Sequence, residues 1–135
     1  MEVSSMTPTE GWILNPSWTA EEGERTRPNY NDVPMLICQT ASKILEIPFK
    51  GNTIGIAVAA GPDAGIIEYR IDQGPWHKQN LYTRWSSYLH LPWYYTLASG
   101  LDNKRHTLEI RVSNQKDERS IGNACRIRYV YVNQP

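Results

Sequence analysis

The sequence predicts an all-β protein: an antiparallel β-sandwich of the jelly-roll type, with an irregular N-terminal arm. Three observations predict it. Apolar and polar residues alternate at period 2 in several short segments. Turn-forming clusters such as Gly61-Pro62-Asp63-Ala64-Gly65 separate those segments at short intervals. No apolar stripe at helical spacing persists, and proline is frequent, so no amphipathic helix is expected.

Residues 1–11 read as a disordered lead, and residues 12–135 as a single sandwich domain. Between 12 and 34, Pro16, Pro28 and Pro34 and the charged run Glu21–Arg27 leave no period of 2 or 3.6. This stretch reads as an arm wrapped over the domain and pinned by Trp12 and Trp18. Strands are predicted at 35–40 and 43–49, the second with Leu45, Ile47 and Phe49 facing the core. Gly51-Asn52 is a turn. The segment 53–60 puts Ile54, Ile56 and Val58 on one face and the small residues Gly55, Ala57 and Ala59 on the other, which invites close packing by another backbone or a ligand.

The 61–65 cluster predicts a β-hairpin loop. Ile67, Tyr69 and Ile71 then alternate with Glu68, Arg70 and Asp72. Gln73-Gly74-Pro75 turns the chain into a strand near 76–82. Leu108, Ile110 and Val112 mark another strand, residues 114–123 a polar loop, and Ile127, Tyr129 and Tyr131 the last strand.

The chain has 135 residues, the size of one domain, with 14 basic and 14 acidic side chains and zero formal net charge. That balance argues against a nucleic-acid binder and against a polybasic membrane-surface module. No apolar run approaches the roughly 18–20 residues of a bilayer span. Five Trp and eight Tyr stand against one Phe, a bias toward rings that tolerate a partly wet surface. Cys38 and Cys125 have no metal-like spacing. They are either two buried thiols or a disulfide, whose long loop would add on the order of 4 kcal/mol.

The most informative stretch is Leu81–Leu97, LYTRWSSYLHLPWYYTL. Trp93, Tyr94 and Tyr95 are consecutive, so alternation forces at least one ring away from the core. Pro92 is expected to interrupt the strand and splay Trp93 and Tyr94 outward on a bend. Exposed aromatic rings stack on sugars through their C–H groups. The candidate ligand-binding residues are therefore Trp85, Tyr88, Trp93 and Tyr94, with Arg84 and His90 as polar partners. The competing reading is that the same rings fill the sandwich ends; Trp76 and Trp18 are the next rings to consider.

Four segments carry a family resemblance: AGPDAGIIEYRID (60–72), LYTRWSSYLHLPWY (81–94), GLDNKRHTLEIRV (100–112) and GNACRIRYVYVN (122–133). Residues 49–133 resemble the β-sandwich accessory domain of bacterial SGNH-type (GDSL-like) carbohydrate esterases, which is similar to galactose-binding-like carbohydrate-binding modules. The resemblance implies a galactose-binding-like sandwich, an oligo- or polysaccharide ligand, a catalytic partner domain in the parent enzyme, and an extracellular or periplasmic location. The leader that would accompany export is not visible in residues 1–10.

Catalytic machinery is not expected. The chain lacks Gly-Asp-Ser and G-x-S-x-G, and Asp102 and His106 have D-x-x-x-H spacing. His77, His90 and His106 are scattered without metal-ligand spacing. No cofactor is expected beyond a structural Ca²⁺ on loop oxygens, for example around Asp63 or Asp117. Three readings stay open: a glycan-binding module, a structural domain packed on an SGNH-type catalytic domain with no ligand of its own, and a small jelly-roll enzyme such as a lyase or epimerase.

Overall fold

Nine strands build two antiparallel sheets in the computed structural model, which describes residues 1–135. They are β1 (Ile13–Trp18), β2 (Val33–Cys38), β3 (Leu45–Gly51), β4 (Thr53–Ala60), β5 (Ile66–Ile71), β6 (His77–Asn80), β7 (Leu91–Ala98), β8 (Lys104–Val112) and β9 (Cys125–Asn133). One sheet has the order β1-β2-β9-β4-β7 and the other β3-β8-β5-β6. The expected β-sandwich is therefore the observed architecture, and its only helices are single 3-10 turns at Val3–Ser5 and Pro28–Tyr30.

The core lies between the two inner faces. Leu45, Ile47 and Phe49 of β3 point inward as their alternation requires, while Glu46, Pro48 and Lys50 are exposed. They meet Ile54, Ile56, Val58 and Ala60 of β4, Ile67 of β5, Leu108 and Ile110 of β8, and Ile127 and Val130 of β9. Each fully buried Leu, Ile or Val contributes roughly 1.5–3 kcal/mol before conformational entropy is charged.

Two turn signals connect sheets rather than neighbouring strands. β3 and β4 belong to different sheets, so Gly51-Asn52 carries the chain across the core. The 61–65 loop is likewise a crossover from β4 to β5 and not the expected hairpin. The turn residues are right for both geometries; only the long-range partners distinguish them. The Gln73-Gly74-Pro75 turn does close a hairpin, β5 on β6.

The N-terminal expectations need correction. Residues 1–11 are not a free lead: Val3 is fully buried, the Val130 N–H donates to the Met1 carbonyl at 3.0 Å, and Thr9 Oγ1 donates to the Ile44 carbonyl at 2.7 Å. One 3-10 turn is too short to show a period, so nothing in the sequence marked it. The arm is less irregular than expected, because β1 pairs with β2 at the sheet edge and its ladder shifts between Asn15 and Trp18, around Pro16. Trp12 and Trp18 are buried, and the Trp12 indole N–H donates to the Lys43 carbonyl at 2.8 Å.

Cys38 and Cys125 are cross-strand partners in the β2–β9 ladder, and both are buried free thiols. Burial pushes both thiols above the ordinary cysteine range, Cys125 strongly so.

Candidate functional site

Residues Arg84–Tyr88 make tight turns between β6 and β7. The Ser86 N–H donates to the Thr83 carbonyl, and the Tyr88 N–H to the Trp85 carbonyl, each at 3.0 Å. Ser86 is fully buried, and its hydroxyl oxygen accepts from the Thr83 N–H at 2.9 Å, so this serine shapes the turn. With Ser86 inside, Trp85 and Tyr88 are left at the surface, 46% and 65% exposed.

β7 follows immediately and contains Pro92, so the expected interruption does not occur. β7 is an edge strand, where a residue without an N–H is tolerated. Strand geometry then decides the rings. Trp93 pairs with Val58 and Tyr94 with Ala57, and the two side chains leave opposite faces of the sheet.

This alternation divides the predicted site. Trp85, Tyr88 and Trp93 come together with Leu89 and Leu91 in one open groove of about 520 Å³, within the roughly 300–1,000 Å³ of small-molecule sites. Arg25 and Arg27 of the arm complete its lining. Arg84 lies beside it, its guanidinium carbon 4.6 Å from the Trp85 ring centroid. Tyr94 belongs elsewhere. It lines a separate groove of about 430 Å³ with Thr96, Tyr131 and Asn133, and its ring meets Tyr131 edge-on at 6.4 Å.

His90 is not a surface partner for a ligand, and that expectation is corrected. Its side chain is 1% exposed, and Nε2–H donates to the Glu24 carboxylate at 2.9 Å. Trp18 packs edge-on at 5.0 Å. The His90 N–H donates to the Arg25 carbonyl at 2.7 Å. His90 thus fastens the arm beside the groove and positions the segment that carries Arg25 and Arg27. The pleat put its side chain on the buried side of the turn; lone polarity in the sequence pointed the other way.

The small-residue face of β4 also finds its explanation. A Cβ on Gly55 would stand 2.6 Å from the Tyr95 carbonyl oxygen, so the β7 backbone requires glycine there. Trp18 and Met35 cover Ala59. Trp18 itself is buried against Arg126, and the Arg111 and Arg70 guanidinium groups lie against the Trp76 ring at 3.8 and 4.4 Å. Trp18 is buried and Trp76 half-buried, so neither is as exposed as Trp85 or Trp93.

The acid and histidine groups are bound up structurally. Both oxygens of Asp63 accept from Arg126, at 2.7 and 2.8 Å. Burial pushes the Asp63 carboxyl up, but this guanidinium outweighs it and holds the group below the usual range. Asp117 accepts from Arg119 and Asn80. The two aspartates considered for Ca²⁺ therefore already have partners, and no group of three acid, histidine or cysteine side chains is placed to hold a metal. His106 donates from Nδ1 to Asp72 at 2.6 Å and from Nε2 to the Asp102 carbonyl at 2.8 Å. Asp72 first, and then that carbonyl, raise the His106 pKa.

Sequence reasoning missed Arg25 and Arg27, and it missed Tyr131 beside Tyr94. The only available signal for the first pair was their i, i+2 spacing, which places two side chains on one side of an extended segment.

The chain matches no family model and no curated protein. Its fold is shared by solved structures. A two-domain esterase (CEX) active on acetylated mannans, co-crystallized with mannopentaose, superposes with a TM-score of 0.60 and 12% identity over 94% of this chain and 35% of that one. A second structure of a two-domain esterase (CEX) active on acetylated mannans gives 0.62 and 11% over 100% and 36%. A Paenibacillus xanthan lyase gives 0.67 and 12% over 99% and 13%. This chain thus spans about a third of each esterase chain and a smaller part of the lyase. Identities of 11–12% show the common fold alone.

Proposed function

We propose that this chain is a non-catalytic, galactose-binding-like carbohydrate-binding module, accessory to an extracellular or periplasmic enzyme that degrades or deacetylates a polysaccharide. The observation that carries the reading is the convergence of three exposed rings, Trp85, Tyr88 and Trp93, on one groove. Apolar ring faces with guanidinium donors at the rim match a sugar, which presents C–H patches and hydroxyls together. The fold likeness to parts of an acetylmannan esterase and a xanthan lyase supports a carbohydrate setting. Such a module raises the local concentration of its catalytic domain on the polymer through avidity.

A non-catalytic role is supported by the structural engagement of Ser86 and of two of the three histidines. Ser86 is buried on Thr83, and His90 and His106 are committed to Glu24 and Asp72. A second reading has one observation in its favour. The matched chains extend well beyond this fold, so the groove has a catalytic domain as an alternative occupant.

Calorimetric titration of the isolated chain with acetylated and unacetylated manno-oligosaccharides separates the readings. Weak binding in the range of about 10 µM to 1 mM is expected. Trp85→Ala and Trp93→Ala should each weaken it while the folded circular-dichroism spectrum persists. Binding unchanged in both folded variants would remove the groove from the function. No ester hydrolysis should be detected, and turnover that disappears in Ser86→Ala or Ser87→Ala would refute the non-catalytic assignment.

A further inference from the structure

The chain is electrically neutral overall, yet its unpaired guanidinium groups are not scattered. Of nine arginines, Arg70, Arg111, Arg119, Arg126 and Arg128 form ion pairs with carboxylates. The remaining four are Arg25, Arg27, Arg84 and Arg105. Arg25 and Arg27 line the aromatic groove, and Arg84 stacks on Trp85. Three of the four unpaired arginines therefore meet at one place.

The backbone explains why. Thr26 bridges to His90, so Arg25 and Arg27, its neighbours on either side, project together into the groove. No carboxylate lines that groove. The nearest in sequence, Glu24, is turned away and bonded to the buried His90 ring. The arrangement concentrates positive charge beside stacking rings and removes the acid that would neutralise it.

We infer that the groove selects an acidic saccharide, one bearing a ring carboxylate, with Arg25 and Arg27 as the carboxylate-recognising pair; this rests on the glycan-binding reading of the same groove. A guanidinium presents parallel N–H donors that fit a carboxylate in bidentate fashion, which a neutral hydroxyl cannot match in strength. Trp85, Tyr88 and Trp93 supply sugar stacking that is indifferent to charge, and the arginines supply the choice.

The test uses three probes on the intact chain: tetragalacturonate, its fully methyl-esterified form, and neutral mannopentaose. The free acid is expected to bind at least about tenfold more tightly than the ester, and raising NaCl from 50 to 500 mM should erode that preference. Arg25→Gln/Arg27→Gln should abolish the preference, Arg105→Gln should leave it intact, and Trp85→Ala should weaken every probe. Equal binding of acid and neutral probes, abolished by Trp85→Ala but untouched in the double arginine variant, overturns acidic selection and leaves glycan binding standing. An acid preference that survives in Arg25→Gln/Arg27→Gln overturns the assignment to this pair. Binding of none of the probes overturns this inference together with the glycan-binding reading beneath it.

Discussion

Replacing Gly61 by alanine strikes the point where the arm is fastened to the sandwich. A Cβ at Gly61 would lie 2.0 Å from His90 Nδ1 and 2.4 Å from Cε1. Comfortable contact is about 3.5 Å, so the ring must retreat by roughly 1.5 Å. It has little room to do so: it is 1% exposed, tied to Glu24 at 2.9 Å and edge-on to Trp18 at 5.0 Å. Overpacking of this kind costs about 1–3 kcal/mol. Loss of the Glu24 hydrogen bond adds about 0.5–1.5 kcal/mol, and the stiffer unfolded chain returns about 0.4–1 kcal/mol. A net loss of about 0.5–4 kcal/mol follows, a fall of roughly 2–14 °C in melting temperature for a domain of this size. His90→Ala alone should cost about 2–4 kcal/mol through its cavity. In the double variant the new methyl enters the space the ring left, so the two losses should be less than additive. Thermal and urea melts of the four proteins complete the cycle. Gly61→Ala as stable as the parent, or fully additive losses, would refute the wedge. Displacing His90 also frees Arg25 and Arg27, so glycan affinity should fall in Gly61→Ala at temperatures where it remains folded.

Stability should respond to pH through Asp72 and His106. The His106 pKa is raised, so its contribution is complete below the unfolded value near 6.5 and is lost as pH rises through the folded one. Asp72 is lowered first by its bond to His106, so its contribution is present above about pH 4 and is lost on acidification through its folded value. Urea midpoints should therefore peak between these limits, and Asp72→Asn should flatten the profile. Trp76→Ala should cost about 1–2 kcal/mol through its two guanidinium contacts; a glycan affinity that falls with it would contradict this structural role. Cys38 and Cys125 should resist a thiol reagent in the native protein and titrate as two thiols after denaturation under non-reducing conditions. Treatment with EDTA should leave the melting temperature unchanged, because Asp63 and Asp117 are satisfied by Arg126 and Arg119; a clear drop would reveal a calcium site.

The sandwich was legible in the sequence because a half-buried strand writes its own faces at period 2. Leu45, Ile47 and Phe49, or Leu108 and Ile110, need only local chemistry to declare which side is core. The aromatic stretch was legible for a related reason: Trp93, Tyr94 and Tyr95 in succession cannot all be buried from one side of a strand. Four of the six candidate ligand residues, Trp85, Tyr88, Trp93 and Tyr94, are indeed large exposed aromatics. What the sequence did not contain was their partition. That depended on Pro92 being accepted into an edge strand, which keeps alternation running and sends Tyr94 to Tyr131 while Trp93 joins Trp85 and Tyr88. It also depended on contacts distant along the chain. Thr26 meets His90, and Val3 meets the core, across long stretches of chain, and no local period records such an attachment. Strand identity is a property of neighbouring residues, whereas the groove is a property of two segments brought together by the buried ring of His90.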